Sequence, residues 1–493
     1  MKKYAYLTLS ATLLTSLSFS QEEVNTSYWT GNTREGTSGW GLSSVAENWS
    51  TGTIPDANTN VVFDNEYLTG EKILSIHTTS GFTCNDYTVT SNYGGHQIRV
   101  DGTMTINGDF TTQTPGTVTL LSNGSNNSAA ILNIGGSVIV GVDGDITSNV
   151  SYLNIGETTS NQWGGWGGPK NVTIGGDIIM YELGKVSFNV NLKGRTADYS
   201  NPDIDVKGLI RFEGNGSTNP NLDIINASNP YTSGDNKQYS IPVEVVLACN
   251  GISGNGVISN NSNGSLDNGP SKAILLLRND SDQYFAGWIQ DGQNCTTKIV
   301  MNGTATQYLT SVNKDPEKPT EGICFTGGLE IISGTLSMRY DHPINHGDLE
   351  MRGGKLKNDS VSSAWNVNFT NLIYEGGTIV SRWNGSNMDV ITLSGGLQKG
   401  AGFADGDKFL IEVAATDVSS LTDELVIAWD NAAQKTDFTE DDFEATYFEG
   451  YEALFNIKDD GLYLSYIAVP EPAAFAVMLG ALALGLCACR KRK

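Results

Sequence analysis

The sequence predicts an all-β chain: a right-handed parallel β-solenoid with N- and C-terminal β caps, followed by one C-terminal transmembrane helix. Three observations carry this expectation. Of 493 residues, 57 are glycine and only 17% are charged, so much of the polar content is Asn, Ser and Thr, which favour turns and strands over helix interiors. Short apolar strands recur behind glycine turns. A final apolar run, Ala473 to Cys489, would rise about 25 Å as a helix, which is within spanning range.

The first element is residues 1–20, a signal peptide. Lys2 and Lys3 precede the apolar stretch Tyr4 to Leu17, and Ser18-Phe19-Ser20 is a small-x-small site that places cleavage between Ser20 and Gln21. No cysteine stands beside that site to be lipidated. Residues 21–90 are expected to form the N-terminal β cap. Trp29, Trp40 and Trp49 lie among small polar residues ahead of Pro55 and the strand-like Val61-Val62-Phe63. A first rung without such a cap would expose an apolar end and unpaired strand edges.

Residues 91–400 hold the repeats. GGLEI at Gly327 to Ile331 returns as GDLEM at Gly347 to Met351, and glycine pairs recur at Gly353-Gly354, Gly376-Gly377 and Gly395-Gly396. Asn133-Ile134-Gly135-Gly136 returns as Thr173-Ile174-Gly175-Gly176, with Ile106-Asn107-Gly108-Asp109 as an earlier copy. Each copy is a glycine turn and a short alternating strand, which cannot bury its apolar face alone. Stacked in parallel at about 4.8 Å, such strands share one core. A β-sandwich is the structural alternative, because evenly spaced short strands also describe it.

Residues 401–468 read as a C-terminal β module. Strands are expected at Lys408 to Val413 and Glu424 to Trp429, with an acidic helical turn from Thr439 to Phe443. A hairpin follows, Ala453 to Ile457 and Leu462 to Ile467, turning at Asp459-Asp460-Gly461.

The last element, 469–493, combines Val469-Pro470-Glu471-Pro472, the apolar run and the basic stop Arg490, Lys491, Arg492 and Lys493. Proline at 470 and 472 keeps the tripeptide extended, and the basic end is expected to stay cytoplasmic. This tail resembles the PEP-CTERM sorting signal. The resemblance implies recognition by an exosortase, an intramembrane transpeptidase-like enzyme of Gram-negative bacteria that make extracellular polysaccharide, with the chain held in the inner membrane before processing. A plain single-pass anchor is the alternative. The central stretch also resembles the autotransporter-associated β-strand repeat of bacterial surface proteins. Leu275-Leu276-Leu277, Tyr284, Gly287, Gly327-Gly328-Leu329 and Gly334-Thr335-Leu336 carry that likeness, and an insertion with Lys314, Pro316, Lys318 and Pro319 interrupts it.

Charge and chemistry narrow the function classes. The net charge is −24 although six cations cluster at the two ends, so the body repels nucleic-acid phosphate, and no nucleic-acid partner is expected. The four histidines are His77, His96, His342 and His346. Pro343 interrupts any helix that would align the last two, which read as a surface turn, so no metal site and no cofactor are expected. Asp143/Asp145, Asp203/Asp205 and Asp405/Asp407 read as solvated turns, with calcium the alternative. Cys295 and Cys324 could sit on adjacent rungs and pair, although buried thiols serve equally with Cys84 and Cys249. Trp163 and Trp166, in a Gly-rich loop, either stack on sugar rings or fold back onto the solenoid.

No catalytic constellation is found. The expected function is that of an exported bacterial cell-surface or extracellular-matrix protein, structural or adhesive, with an exosortase-type enzyme and extracellular polysaccharide as partners. The alternative is a β-helix polysaccharide lyase or hydrolase, for which Arg339, Tyr340, Asp341 and His342 are the best available cluster.

Overall fold

A computed structural model describes residues 24–36, 39–78, 81–122, 130–144, 150–156, 169, 171–188, 197–214, 220–224, 231–232, 238–239, 244–260, 271–292, 295–311, 322–339, 342–358, 366–430, 436–469 and 481–482. The described chain is all-β, with strands paired in long parallel sheets. Three columns of strands account for most of it. One pass of the chain shows the pattern: Thr103–Ile106 lies in the first column, Phe110–Thr112 in the second and Thr117–Ser122 in the third. The next pass repeats it with Ile131–Ile134, Val138–Val140 and Tyr152–Ile155, each paired in parallel with its predecessor.

The side-chain period of two turns alternate residues inward, and parallel register places each inward residue on the one before. In the first column this yields the file Phe82, Met104, Leu132, Val172, Ile204, Leu247, Leu275, Ile299, Leu329, Leu349, Leu372 and Leu397. All twelve are buried within one continuous core. Each such side chain contributes roughly 1.5–3 kcal/mol by leaving water.

The corner between the first two columns is a stack of glycines because the backbones close there. A Cβ on Gly175 would lie 2.1 Å from the carbonyl oxygen of Gly135, and one on Gly135 would lie 2.3 Å from that of Asn107. Any larger residue must push the rungs apart. The repeats at 133 and 173 are therefore direct register neighbours, as Asn133 opposite Thr173 records, and so are Leu329 and Leu349. Gly395-Gly396 is different. It sits against Thr370 and Asn371, with the Gly395 amide donating to Thr370, so it corresponds to Gly327-Gly328 and not to Gly376-Gly377.

Neither expected module boundary interrupts the stack. Asn25–Tyr28 already pairs in parallel with Thr59–Phe63, which pairs with Tyr87–Val89. The first edge is covered locally, where Ser50 and Asn48 exchange hydrogen bonds with Tyr28 and Thr30. Trp29 and Trp49 are buried there edge to face at 4.9 Å. At the other end Phe409–Ala414 continues in parallel beyond residue 400, on Leu372–Arg382. The hairpin Tyr451–Lys458 and Gly461–Ala468 then reverses direction, and its turn residues are Asp459 and Asp460, with Gly461 already paired to Lys458. The acidic turn forms at Glu440–Asp442, capped reciprocally by Thr439 and Asp442. Among the described residues no helix is long and apolar enough to cross a membrane, and residues 470–480 and 483–493 lie outside them.

A second, outer apolar cluster covers part of the first column. Val246, Ala248, Ile274, Leu276 and Val300 are buried beneath Ala197 and Tyr199. That segment is tied down at both ends: the Ala197 amide donates to Glu244 at 3.0 Å and the Tyr199 hydroxyl to Glu330 at 2.9 Å. Glu330 in turn bonds Lys298 at 2.7 Å and Arg352 at 2.9 Å.

Two histidines are enclosed as neutral rings. His96 donates from Nδ1 to the Leu74 carbonyl at 2.6 Å, and its Nε2 accepts from the Tyr87 hydroxyl at 2.6 Å. Burial lowers it to about 4 and lowers His346, which donates to the Phe325 carbonyl at 2.9 Å, to about 4 as well. Their folded values lie below the unfolded one, so their stabilisation is complete above about pH 6.5 and is lost as pH falls toward 4. Urea midpoints measured across that window should fall with pH. His96→Gln or His346→Gln should each remove up to about 1.4 kcal/mol per pH unit of the slope. Unchanged slopes in both variants would show that these rings are not held neutral.

Candidate functional site

Several of the longest connections between described strands join the third column to the first. Turns from the first column to the second are short, as between Asn171–Ile174 and Ile178–Tyr181 or between Ile204–Val206 and Ile210–Glu213. Returns from the third column to the first vary, being two residues between Val100 and Thr103 but far longer in the middle of the chain, where they span residues 156–170, 189–203, 224–243 and 260–270. Loops on a rigid scaffold are where recognition is usually placed.

The third-column strands that lead into this corner carry a polar outer face. Register aligns Thr119, Asn154, Ser187, Asp223 and Ser259 in one file, and Thr117, Tyr152, Lys185, Asn221, Val257 and Trp288 in the next. The Ser259 hydroxyl donates to Asp223 at 2.5 Å, and Asn221 Nδ2 donates to the Ser259 oxygen at 3.3 Å. Lys185 Nζ lies 5.0 Å from the Tyr152 ring centroid. Burial raises the Asp223 carboxyl above its ordinary value, against the opposing pull of the Ser259 hydrogen bond and the Lys185 charge. Hydroxyl, amide, carboxyl, ammonium and aromatic groups thus alternate along these two files; Ser187 is buried, and the half-buried members suit a ligand rich in hydroxyl groups. Only register puts Lys185 beside Asn221 and Ser187 beside Asp223, so the face was not readable from the chain.

The expected site residues fall into two groups. Val469 is described, half-exposed, with its amide donating to Gly450. Pro470, Glu471, Pro472, Arg490, Lys491, Arg492, Lys493, Ser20, Gln21, Trp163 and Trp166 lie outside the described residues, as do Tyr340 and Asp341.

Among those described, several expectations change. Cys295 and Cys324 are not bridged: both are buried thiols, like Cys84 and Cys249. Cys295 is aligned with Ser271 and Cys324 with Gln290, in different sheets, so adjacent passes of the chain do not bring them opposite one another. Burial pushes the Cys249 and Cys295 thiols up to about 12, which removes thiolate reactivity. His342 and His346 do not form a surface turn. His342–Asn345 is a strand and His346 is fully buried. Asp203 and Asp205 are not solvated. Asp203 accepts the Val246 amide at 3.0 Å, and Asp205 is ion-paired with Arg278 at 2.5 Å. Asp407 does cap its own turn at Ala404. Among the described residues no group of three His, Cys, Asp or Glu could hold a metal ion.

One cluster had no sequence signal. His77 is buried between Glu35, at 2.7 Å from Nδ1, and Asp101, at 2.9 Å from Nε2. It pins the loop bearing Glu35 to the third column across a sequence separation that no local pattern encodes.

No protein-family model, no curated protein and no solved structure matches the chain. The class defined by fold and site together is an all-β protein of stacked parallel strands with a polar, hydroxyl- and amide-lined outer face.

Asp223 gives this face a test. Its raised folded value means that the ionised carboxylate is disfavoured in the fold, so stability present below about pH 3.8 is lost as pH rises through the folded value. Asp223→Asn keeps an oxygen for Ser259 and removes the charge. Its urea midpoint at pH 7 should equal or exceed that of the parent, with the difference shrinking in acid. A lower midpoint at pH 7 would show the charge to be structural.

Proposed function

We propose that the chain is an exported bacterial cell-surface or extracellular-matrix protein, structural or adhesive, whose body is a right-handed β-solenoid. The observation that carries this reading is the uninterrupted parallel register of the first column from Phe82 to Leu397. Successive passes visit the three columns in the same order, and parallel crossovers of this kind are overwhelmingly right-handed. Such a scaffold grows along one axis and offers long outer faces for contact. The tail, Val469 with Pro470-Glu471-Pro472, the apolar run and Arg490 to Lys493, is read as a PEP-CTERM sorting signal acted on by an exosortase-type enzyme after export through the inner membrane. The polar third-column face is read as a surface that meets extracellular polysaccharide, and Trp163 and Trp166, which lie between Ile155 and Asn171 in the chain, are read as further contacts.

Two measurements test this. Small-angle scattering of the purified protein should return an elongated particle, and a compact sphere would remove the solenoid. Intact-mass measurement in cells containing an exosortase should find the protein cut near Pro472 and lacking Arg490 to Lys493. Replacing Pro470-Glu471-Pro472 by three alanines should leave it uncut in the membrane. A parent protein that keeps its full tail there would reduce the signal to a plain anchor.

A further inference from the structure

Outward residues of the second-column strands line up in files across successive passes. Arg211 is aligned with Ser253, and Gly254 with Phe285, which sets Ser253 beside Tyr284. Tyr284 is aligned with Tyr308, Tyr308 with Ser337, and Ser337 with Lys357. The two tyrosine rings are parallel, 4.3 Å apart with an interplanar angle of 1°. Lys357 reaches past the small Ser337 to lie 5.0 Å from the Tyr308 centroid, on the face away from Tyr284. The pair is therefore held rigid from one side, while Tyr284 remains 58% exposed. The next residue in the file is a serine, so the side of the stack away from Tyr308 faces Ser253.

This geometry selects a ligand class. Two strand spacings, about 9.6 Å, separate the backbones of Arg211 and Tyr284, with Ser253 as the floor between them. A chair-puckered sugar ring can lay the axial C–H groups of one face on the exposed Tyr284 ring. Its equatorial hydroxyls would meet Ser253, Arg211 and Glu213, the last two already paired at 2.5 Å. Arg211 is also neutralised by Asp177, and the chain carries a net charge of −24, which disfavours polyuronates. We propose that Tyr284 and Tyr308 form a stacking subsite for the pyranose rings of a neutral polysaccharide with equatorial hydroxyls. The proposal rests on the reading of the protein as one that meets extracellular polysaccharide and adds a second contact face to it.

The test is native affinity electrophoresis of the full-length protein in detergent, through gels containing soluble β-glucan, β-1,4-galactan or polygalacturonate. β-Glucan should retard the parent most, because its sugars present unobstructed axial hydrogens on both faces. Tyr284→Ala and Tyr284→Gln should each weaken that binding about tenfold or more. Tyr284→Phe should retain it, and so should Tyr447→Ala, which removes a 79% exposed tyrosine elsewhere. Urea midpoints matching the parent establish that the variants are folded, and the two substitutions at Tyr284 must agree. If β-glucan retards parent and Tyr284 variants equally, the subsite is overturned while polysaccharide binding stands. If polygalacturonate retards the parent most, the neutral-ligand assignment is overturned. If none of the three gels retards the parent, the polysaccharide reading and this subsite both fail.

Discussion

Each inward side chain of the first column rests on the residue at the same register position one pass earlier, and that in-register contact is the constraint from which the other features follow. Slipping one pass by a single residue would turn its leucine or isoleucine into solvent and its polar neighbour into the core. The corner glycines answer the same demand. Gly135 and Gly175 let consecutive backbones close to the distance that the strand ladders set, where a Cβ would collide with a carbonyl oxygen. The enclosed polar groups are also repairs to the ladder. Gln307 is fully buried, yet it bonds both the amide and the carbonyl of Ile252 at 3.0 Å, where the chain departs around Asn279.

Charges are kept where the stack must be held to something other than itself. Lys298 sits between Glu330 and Glu350 with little solvent contact, and Tyr199 joins the same cluster from a distant part of the chain. Ions this enclosed forfeit most of their hydration, so mutual pairing largely offsets that loss and leaves only a modest net gain. Their more evident effect is positional, fastening residues 197–199 over an apolar outer surface that would otherwise face water.

The strand content and parallel architecture were legible because short alternating segments behind glycine turns have few other packings. GGLEI and GDLEM proved to be true neighbours, since the passes around them are short and nearly equal in length. Elsewhere the passes differ in length, as the register from Ile204 to Leu247 and then from Leu275 to Ile299 shows, and a fixed period cannot be seen through insertions of variable size. Gly395-Gly396 fell in with the other pairs because glycine pairs mark more than one corner of the pass. Of the two readings open for Cys295 and Cys324 the structure has buried thiols, and the sequence could not choose because spacing along the chain does not report which column a residue occupies. The face around Asp223 and the tyrosine pair were invisible for a related reason: their members come from different passes and meet only through register.

The ladders of this protein have a mechanical corollary. Hydrogen bonds between successive passes run along the direction in which the passes are stacked, while each strand lies across it. A pull applied between the two ends of the stack therefore loads those bonds lengthwise, a few at a time at whichever end is weaker, and does not shear a whole sheet at once. The antiparallel hairpin at Tyr451–Lys458 and Gly461–Ala468 closes one end with a pairing of different geometry, so a pull from residue 469 first meets the longest antiparallel pairing in the described chain. Tension from that side is resisted by a clasp, and once the clasp opens the passes behind it can be drawn off in series, each releasing its own length of chain.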